Sequence, residues 1–322
     1  MSSNSPVRIV LDTDMAMGVP GSDIDDGFAL ALALADPGIQ VEAVTAVNGN
    51  ADVESGVYLT KELLAMLGHA QVPVYRGATA PFRFPEKRRG APEEIVQQFG
   101  HHTADAGFAA AKLAEIVAQN PGEITVVAIG PLTNVAAAIN LDPNFPQLVK
   151  EIVIMGGVFF GYTHETSMPG EFNFWVDPEA ANAVIRSGAK IKLVGLDVTL
   201  KVMLQRDHAL EMERSGNEFE KFAGKYTVAW IDHLAERVPG SPSAGKECAM
   251  HDPLAVAAVT HPEFIQWVPA FVDIVDGDSI ARGVAVTDLL RSADAPEPNV
   301  LVAQNVNSEE FLEFFFSSIK TL

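Results

Sequence analysis

The sequence has 322 residues, of which 48% are apolar and 20% are charged, and its 42 acidic residues against 22 basic ones give a net charge of −20. This composition is that of a globular protein and excludes a disordered, collagenous or coiled-coil chain. Because nucleic acids and anionic membranes attract clustered positive charge, so acidic a chain argues against either as a partner. A small neutral substrate or a cation fits better.

The single cysteine, Cys248, excludes a disulfide within the chain and a zinc site built from several cysteines. The N-terminal residues do not show the basic and apolar segments of a signal peptide. The longest apolar run, residues 28–35, is far shorter than the roughly 20 residues of a membrane-spanning helix. We therefore expect a soluble, cytoplasmic protein.

Apolar runs typical of buried strands recur along the chain, and segments with helical periodicity separate them. The predicted strands are residues 7–11, 41–47, 124–129, 152–155, 191–196, 270–275 and 300–303. The predicted helices are residues 25–35, 53–67, 108–118 and 178–186, and each ends shortly before a glycine. This alternation predicts an α/β fold, a single domain over residues 1–322 in which helices cover both faces of an open, mostly parallel sheet.

Two long segments interrupt this pattern. Residues 81–102 are rich in proline and charge and predict a surface loop. Residues 204–247 are polar and helical in character, and they end in the flexible sequence PGSPSAG. The second segment is interpreted as a helical lid over a site. A solvated helical hairpin without that role is the alternative.

Five aspartates follow the first predicted strand within fifteen residues: Asp12, Asp14, Asp23, Asp25 and Asp26. In open α/β sheets, ligands bind beyond the carboxyl ends of the strands. Carboxylates so close together repel each other unless a cation lies among them, and Ca²⁺ takes about 6–8 oxygen ligands. Capping of the following helix explains one or two of these aspartates but not all five. The cluster therefore predicts a site for a hard divalent cation.

Polar residues also follow the other predicted strands. They lie in the segments NGN at 48–50, GPLTN at 130–134, GG at 156–157, GEFNFWVDP at 170–178 and MHDP at 250–253. Each segment alone has an ordinary explanation as a turn or a helix cap. Together they bring amides, carboxylates and the imidazole of His251 to the edge of the sheet that carries the aspartates.

Taken in order, these motifs resemble those of the nucleoside hydrolases, the inosine-uridine-preferring N-ribohydrolase family. The matching segments are DTD, DIDDGFALALAL, VTAVNGN, GPLTNVA, IMGG, GEFNFWVDPEAA and HDPLAV, and they span nearly the whole chain. The resemblance implies a Rossmann-like mixed sheet, a tightly bound Ca²⁺ and hydrolysis of the N-glycosidic bond of ribonucleosides to free base and ribose. It also implies a homodimer or homotetramer.

The resemblance implies four ligands for the metal. Asp14 matches the ligand that also serves as general base, Asp26 matches a bidentate ligand, and Asp252 matches a further ligand. Thr133 matches a ligand that acts through its backbone carbonyl. Asp12 matches the first aspartate of the motif, which stands behind these ligands.

The remaining site residues are implied by the same resemblance. Asp25 matches the residue that holds ribose hydroxyls. Four further ribose-contacting positions are matched by Asn50, Met155, Glu171 and Asn173. His251 matches the histidine proposed to protonate the leaving base in part of the family.

Two segments depart from the family pattern. Residues 15–22, between the DTD motif and the paired aspartates, form a longer loop than is common there, so Asp23 is either an extra ligand or a bystander. Family members often carry an asparagine shortly before the EFN glutamate. In this chain the corresponding region contains His164 and Glu165. We expect recognition of the ribose hydroxyls to differ accordingly.

The implied chemistry has a physical basis. Cleavage of an N-glycosidic bond passes through a state with oxocarbenium character at the ribosyl centre, as in O-glycosidases. A bound metal lowers the pKa of its water, and Asp14 beside it can take the proton. Ribose hydroxyls held on the metal place C1′ next to that water. Because the departing base is a poor anion, a proton from His251 assists its departure.

Base preference depends on the poorly matched lid. His251 mildly favours acid catalysis of base departure, which purine and pyrimidine members of the family can both use, and we expect purine or broad specificity. His233, Trp230 and Tyr226 either line the base pocket or pack elsewhere. His101 and His102 lie near a His-Gly segment of the family. The alternatives from other classes are a non-catalytic nucleoside-binding protein on the same fold and a haloacid-dehalogenase-like, Mg²⁺-dependent phosphohydrolase.

Overall fold

A computed structural model describes residues 5–161, 167–289 and 292–322, except the side chain of Ser215. Its strands are β1 (Val7–Thr13), β2 (Ile39–Ala46), β3 (Val74–Arg76), β4 (Asp105–Phe108), β5 (Ile124–Ala128), β6 (Glu151–Met155), β7 (Ile191–Val194), β8 (Met203–Gln205), β9 (Glu247–Ala249), β10 (Ile265–Ile274), β11 (Ala285–Asp288) and β12 (Val300–Val306). Over the described residues, ten of them form one central sheet in the order β11-β10-β12-β7-β6-β5-β1-β2-β3-β4. Strands β8 and β9 pair separately and antiparallel.

The central sheet is mostly parallel, as the sequence predicts. Strand β10 runs antiparallel to β11 and β12, and the other neighbouring pairs are parallel. The residues of β5 are all buried, and so are those of β6 after its first. Helices on both faces bury such strands, which explains their continuous apolar sequences.

The helices are α1 (Asp25–Ala35), α2 (Val53–Met66), α3 (Glu93–Phe99), α4 (Ala109–Gln119), α5 (Thr133–Leu141), α6 (Phe145–Leu148), α7 (Phe172–Val176), α8 (Pro178–Ile185), α9 (Leu196–Thr199), α10 (Arg206–Ser215), α11 (Glu218–Arg237), α12 (His251–Thr260) and α13 (Ser308–Ile319). Short 3₁₀ helices lie at Pro85–Lys87 and Pro262–Phe264. Helices α1, α2, α12 and α13 pack in one apolar cluster, and α4, α5 and α8 pack in another. The two clusters lie on opposite faces of the sheet, which gives the three-layer architecture that the strand-helix alternation predicts.

Helix α1 explains how the fold fixes its acidic end. Its residues from Asp25 to Ala33 are buried, because alanines and leucines alternate around its whole surface. A helix that is apolar all round belongs in the interior. Helix α1 packs against α12, which is buried along most of its length in the same way. The first turns of both helices, each of which carries aspartate, are therefore held rigidly beside the sheet.

Several elements differ from the sequence prediction. The seven predicted strands are present, with β10 and β12 longer than expected. The short strands β3, β4 and β11 carry no apolar periodicity that would have marked them. The prediction of a surface loop throughout residues 81–102 is wrong in part, because Glu93–Phe99 forms α3 and buries Ile95 and Phe99.

Residues 204–247 contain two helices, as predicted. The antiparallel pair β8 and β9 closes the base of the segment, and α10 and α11 pack mainly on each other. Asn217 begins α11 with a capping box, in which its side chain and that of Glu220 each accept a backbone N–H bond. In the described part of the chain, no helix is both long and apolar enough to cross a membrane.

Candidate active site

The predicted site residues converge at the centre of the sheet. The chain passes from β1 to β2 in one direction and from β5 to β6 in the other, so the strand order reverses between β1 and β5. In open α/β sheets, a crevice forms at the carboxyl ends of strands where the order reverses, and ligands bind there. Asp14 follows the last residue of β1, and Thr133 lies shortly after β5.

Asp14 is fully buried and held by backbone on two sides. Its Oδ2 accepts a hydrogen bond of 2.5 Å from the backbone N–H of Asn50. A Cβ at Gly49 would overlap this carboxylate, and one at Gly130 would lie 2.9 Å from its Oδ1. Glycine at these two positions therefore lets strand ends approach the carboxylate closely. Oδ1 is buried and receives no hydrogen bond from the described residues.

Three further aspartates meet at the ends of α1 and α12. One carboxylate oxygen from each of Asp25, Asp26 and Asp252 lies within 4.8 Å of the others. Oδ2 of Asp25 accepts the backbone N–H groups of His251 (2.9 Å) and Asp252 (3.0 Å). These bonds tie the first turn of α1 to that of α12 and use the unpaired N–H groups at the helix start.

The electrostatics of this cluster are unfavourable without a cation. Burial is the main cause that raises the pKa of Asp14 to about 7. Burial also raises the pKa values of Asp26 and Asp252 well above 3.8, and the charges of the neighbouring aspartates raise them further. The ionised forms therefore need a nearby positive charge at neutral pH.

A divalent cation fits the donors that the cluster presents. Oδ2 of Asp26, like Oδ1 of Asp14, is buried without a hydrogen-bond donor among the described residues. The other oxygen of Asp26 is fixed by the Thr13 hydroxyl. Unpaired, buried carboxylate oxygens beside the group of three aspartates suit an ion such as Ca²⁺, which prefers oxygen ligands.

The group of three aspartates that can hold an ion overlaps only in part with the predicted metal ligands. Asp26 and Asp252 belong to both the predicted ligands and the observed group of three. Asp14 was also predicted as a ligand but is not in this group of three, although its charge raises the pKa values of Asp26 and Asp252. Asp25 was predicted to bind ribose, yet the structure also brings it into the group of three.

Two supporting carboxylates stand behind the cluster. Asp12 is buried, and its Oδ1 accepts bonds from Thr45 Oγ1 (2.5 Å) and Asn134 Nδ2 (2.8 Å), which suits its predicted position behind the ligands. Thr133 begins α5, and its hydroxyl donates to Asp177 Oδ2 at 2.7 Å. This bond fixes the side chain of Thr133, whose backbone carbonyl was the predicted ligand.

The predicted ribose-contacting residues are packed around the loop ends. Glu171 is the N-cap of α7, and its carboxylate accepts bonds from the N–H groups of Gly157, Asn173 and Phe174. The side-chain amide of Asn173 donates to the carbonyls of Ile129 and Met155, both at 3.1 Å. These bonds fix both side chains before a substrate arrives.

A cavity of about 950 Å³ opens above these groups. Its walls include Asp25, Asn50, Met155, Glu171, Asn173, His251 and Asp252 together with Trp175, Trp230, His233, Leu234, Arg237 and Val238. Its size lies within the range of ligand pockets in proteins. The C-terminal half of α11 forms part of the wall, so the segment interpreted as a lid faces the site.

His251 is positioned by a residue that the sequence analysis missed. Its Nδ1 lies 2.7 Å from Oγ1 of Thr199, the last residue of α9. This contact fixes the orientation of the imidazole at the cavity wall. Thr199 follows β7, so its position after a strand end was the signal that could have identified it.

Some of the other residues considered in the sequence analysis line the cavity, and others do not. Asp23, Trp230 and His233 line the cavity, and the rings of the last two stack at 5.5 Å. Tyr226 packs against Phe222 at 4.7 Å and is not part of the cavity wall. The structure does not bring His101 and His102 to that wall either. His164 and Glu165 lie outside the described residues.

The long loop at residues 15–22 is packed rather than projecting. Met15, Ala16 and Met17 are fully buried. Gly18 has a φ of +122°, and a Cβ there would lie 2.6 Å from a methyl group of Leu59. The loop thus fills space between α2 and α11, and its extra length carries Asp23 to the cavity.

Comparison with known proteins agrees with this geometry. The sequence profile of the family described as inosine-uridine preferring nucleoside hydrolase matches residues 9–313. A protein of Oryza sativa subsp. japonica named probable uridine nucleosidase 1 is 30% identical over 305 residues, covering 89% of this chain and 88% of that protein.

Solved structures are similar over the same length. A plant nucleoside hydrolase, the PpNRh1 enzyme, is 27% identical with a TM-score of 0.86, covering 98% of this chain and 100% of that chain. A purine-preferring ribonucleoside hydrolase from Gardnerella vaginalis is 26% identical with a TM-score of 0.84, covering 98% of both chains. The chain therefore belongs to the inosine-uridine preferring nucleoside hydrolase family.

Proposed function

We propose that this nucleoside hydrolase uses Ca²⁺ and Asp14 to cleave the N-glycosidic bond of ribonucleosides. Family membership makes the chain an N-glycosyl hydrolase and decides against the phosphohydrolase and the non-catalytic alternatives. The observation that carries the proposal is Oδ1 of Asp14, a buried oxygen without a donor among the described residues, on a carboxylate whose pKa is raised to about 7. A buried carboxylate oxygen without a donor is available to bind a cation or to accept a proton from water.

Asp14, Asp26, Asp252 and the carbonyl of Thr133 would hold the ion. The ion supplies positive charge that offsets the carboxylates and lowers the pKa of a water that it holds. The chain contributes ligands that are fixed before binding: Asp26 by the hydroxyl of Thr13, and Asp14 by the N–H of Asn50. Oxygen donors of this kind favour Ca²⁺ over a softer ion.

The remaining residues orient the substrate and move protons. Asp14 takes a proton from the attacking water while the water oxygen bonds to C1′ and the bond from C1′ to the base breaks. Asp25, Asn50, Glu171 and Asn173 lie in the cavity wall, where polar groups can bind ribose hydroxyls. Met155 lines the same cavity. Fixing the sugar in this way holds C1′ near the water.

His251 is proposed as the acid that protonates the leaving base. The electron pair of the broken bond passes to the base, which leaves more readily when a proton neutralises it. His251 lines the cavity and is oriented by Thr199, whose Oγ1 lies 2.7 Å from its Nδ1. An oriented imidazole in a substrate cavity is a common proton donor near neutral pH.

Uridine is the substrate that we propose first. The purine or broad preference expected from the sequence is not confirmed, because a relative at 30% identity is named a probable uridine nucleosidase. A structurally similar enzyme at 26% identity is purine-preferring, so inosine belongs in the same test. The stacked pair of Trp230 and His233 in the cavity wall offers aromatic surface to a base of either kind.

The proposal is tested with a nucleoside panel on purified protein. Uridine, cytidine, inosine and adenosine are each incubated with protein that has been treated with chelator and resupplied with Ca²⁺ or Mg²⁺. We expect release of reducing sugar from uridine with Ca²⁺ and little release without a metal. Full activity in the chelated protein would contradict the role of the ion, and release from purines alone would contradict the choice of uridine.

We also propose a homodimer or homotetramer located in the cytoplasm, as the family resemblance implies. Light scattering on the purified chain would give its molar mass in solution. A mass of two or four chains is the expected result, and a monomer at micromolar concentration would contradict it.

A further inference from the structure

A second group of potential metal ligands lies outside the active site. One ligand atom from each of Glu62, His101 and His102 lies within 4.8 Å of the others. His102 Nε2 lies 2.7 Å from Glu62 Oε2, and the two imidazole rings are 4.1 Å apart between centroids. Glu62 lies on α2, and both histidines lie in the turn after α3.

We propose that Glu62, His101 and His102 bind a divalent transition-metal ion of the zinc class. Two imidazoles and one carboxylate are a ligand set of zinc sites that leave a fourth position for water. Ligands around a tetrahedral zinc ion lie about 3.3 Å apart, given metal–ligand bonds of about 2.0 Å. The three ligand atoms, which all lie within 4.8 Å of one another, are close to that spacing.

The chemistry of this group differs from that of the aspartate cluster. Imidazole nitrogen favours Zn²⁺, Co²⁺ and Ni²⁺, whereas Ca²⁺ prefers oxygen. The two groups are also separated in space. Asn50, which contacts Asp14, lies two residues before Asp52, the N-cap of α2. Glu62 lies ten residues further along this helix, which corresponds to about 15 Å. None of the three ligands belongs to the cavity wall described above.

The surrounding chain holds the site in place while leaving it open to solvent. The backbone N–H of His102 bonds to the carbonyl of Phe99 at 3.1 Å, and Phe99 packs edge-on against Phe222. The side chains of His102 and Glu62 are 19% and 24% exposed, and His101 is exposed. A metal ion in solution can therefore reach preformed ligands.

An ordinary ion pair explains part of this arrangement but not all of it. The contact between Glu62 and His102 needs one imidazole, and the second imidazole beside it adds nothing to that pair. His261 and Glu263 form a similar exposed contact at 3.0 Å. Neither belongs to a group of potential metal ligands among the described residues. That pair provides a matched control.

Co²⁺ binding to the calcium-saturated protein tests the proposal. Excess Ca²⁺ is present so that the hard ion competes for the aspartates, and Co²⁺ is followed by its visible absorption. We expect one imidazole-bound Co²⁺ per chain. His101→Ala, His102→Ala and Glu62→Gln should each weaken binding at least about tenfold. His261→Ala should leave the affinity unchanged.

Zn²⁺ provides a second measurement that does not depend on colour. It should displace Co²⁺ and raise Tm of the wild type, because a ligand that binds the folded state stabilises it. The His101→Ala variant should lose most of this shift, and since His101 is exposed this variant should fold normally. Absence of Co²⁺ binding, or binding that the three ligand variants leave intact, would overturn the proposal.

Discussion

Asp14 is held by contacts that prepare one of its oxygens for chemistry. Oδ2 accepts the N–H of Asn50, while Oδ1 is buried without a donor among the described residues. Removing a carboxylate from water disfavours its charge, which is the main reason that its pKa is raised to about 7. A cation bound at Oδ1 would favour the charged form, which is why we propose this residue as a ligand and as the base.

Replacing Asp14 by asparagine should separate its roles in metal binding and proton acceptance from its role in packing. Asp14→Asn keeps the size of the side chain but removes its charge and its ability to accept a proton. We expect kcat for uridine to fall by roughly 10²–10⁴, the usual contribution of a general base. The measurement is steady-state ribose release at saturating Ca²⁺.

The matched control for this variant is Asp52→Asn. Asp52 is buried beyond β2, and its Oδ1 caps α2 by accepting the N–H groups of Glu54 and Ser55. Asparagine is as good a cap as aspartate, so folding should be preserved. A near-wild-type rate in Asp14→Asn would move the base to another carboxylate, with Asp25 next in order.

His251 can be tested by the quality of the leaving group. His251→Ala should slow uridine or inosine strongly, because their bases leave as poor anions without a proton. A p-nitrophenyl riboside leaves without protonation and should slow little. Equal losses on both substrates, together with weaker Ca²⁺ binding, would show that His251 instead only positions Asp252.

The contact between His251 and Thr199 shows where residue-level prediction stops. The aspartates, Asn50 and His251 were identifiable because they follow strand ends and match family motifs. Thr199 matched no motif, and its partner lies 52 residues further along the chain. Which hydroxyl meets which imidazole depends on how α9 and α12 pack, and local sequence does not encode that packing.

At the scale of elements, prediction succeeded where burial leaves a recognisable pattern of apolar residues in the sequence. Strands β5 and β6 are buried on both faces and read as continuous apolar runs. Strand β4 has three exposed residues of four, so its sequence carries no such pattern. The two helices within residues 204–247 were recognisable because that segment is polar and helical in character and ends in flexible residues.

Helices α10 and α11 should change mobility when a nucleoside binds. They pack mainly on each other, and α11 contributes Trp230, His233 and Arg237 to the cavity wall. Elements with few contacts to the core open at lower free energy. Amide hydrogen exchange in both helices should be faster than in β5 and should slow when a nucleoside analogue is added.

Helix α4 is the reference for that experiment. It is of similar length to α10 and packs in the apolar cluster on the other face of the sheet. Its exchange should not respond to the analogue. Exchange in α10 and α11 that equals that of the central strands with and without ligand would contradict the interpretation as a lid.

For the whole molecule, the aspartate cluster links stability to metal and pH. Burial raises the folded-state pKa of Asp14 from 3.8 to about 7, and those of Asp26 and Asp252 also rise. A raised carboxyl pKa means that stability present below about pH 4 is lost as the pH rises through the folded value. In the absence of a cation, the chain should therefore be less stable at pH 8 than at pH 5.

Chelation should lower Tm more at pH 8 than at pH 5. Ca²⁺ at about 100 times its Kd contributes about 2.7 kcal/mol, which corresponds to roughly 4 °C for a chain of this length. At pH 5, protons partly replace the ion and the difference should shrink. Calorimetry with and without chelator measures both values, and an equal effect at the two pH values would argue against ligands of raised pKa.

The most direct test of hydrolysis at the aspartate cluster is product analysis with uridine. Purified calcium-loaded protein is incubated in phosphate-free buffer, and uracil and ribose are quantified by chromatography. We predict equal amounts of uracil and free ribose, unchanged by added phosphate and abolished by chelation until Ca²⁺ is restored. Ribose 1-phosphate as the sugar product, or no cleavage of either uridine or inosine, would contradict this assignment.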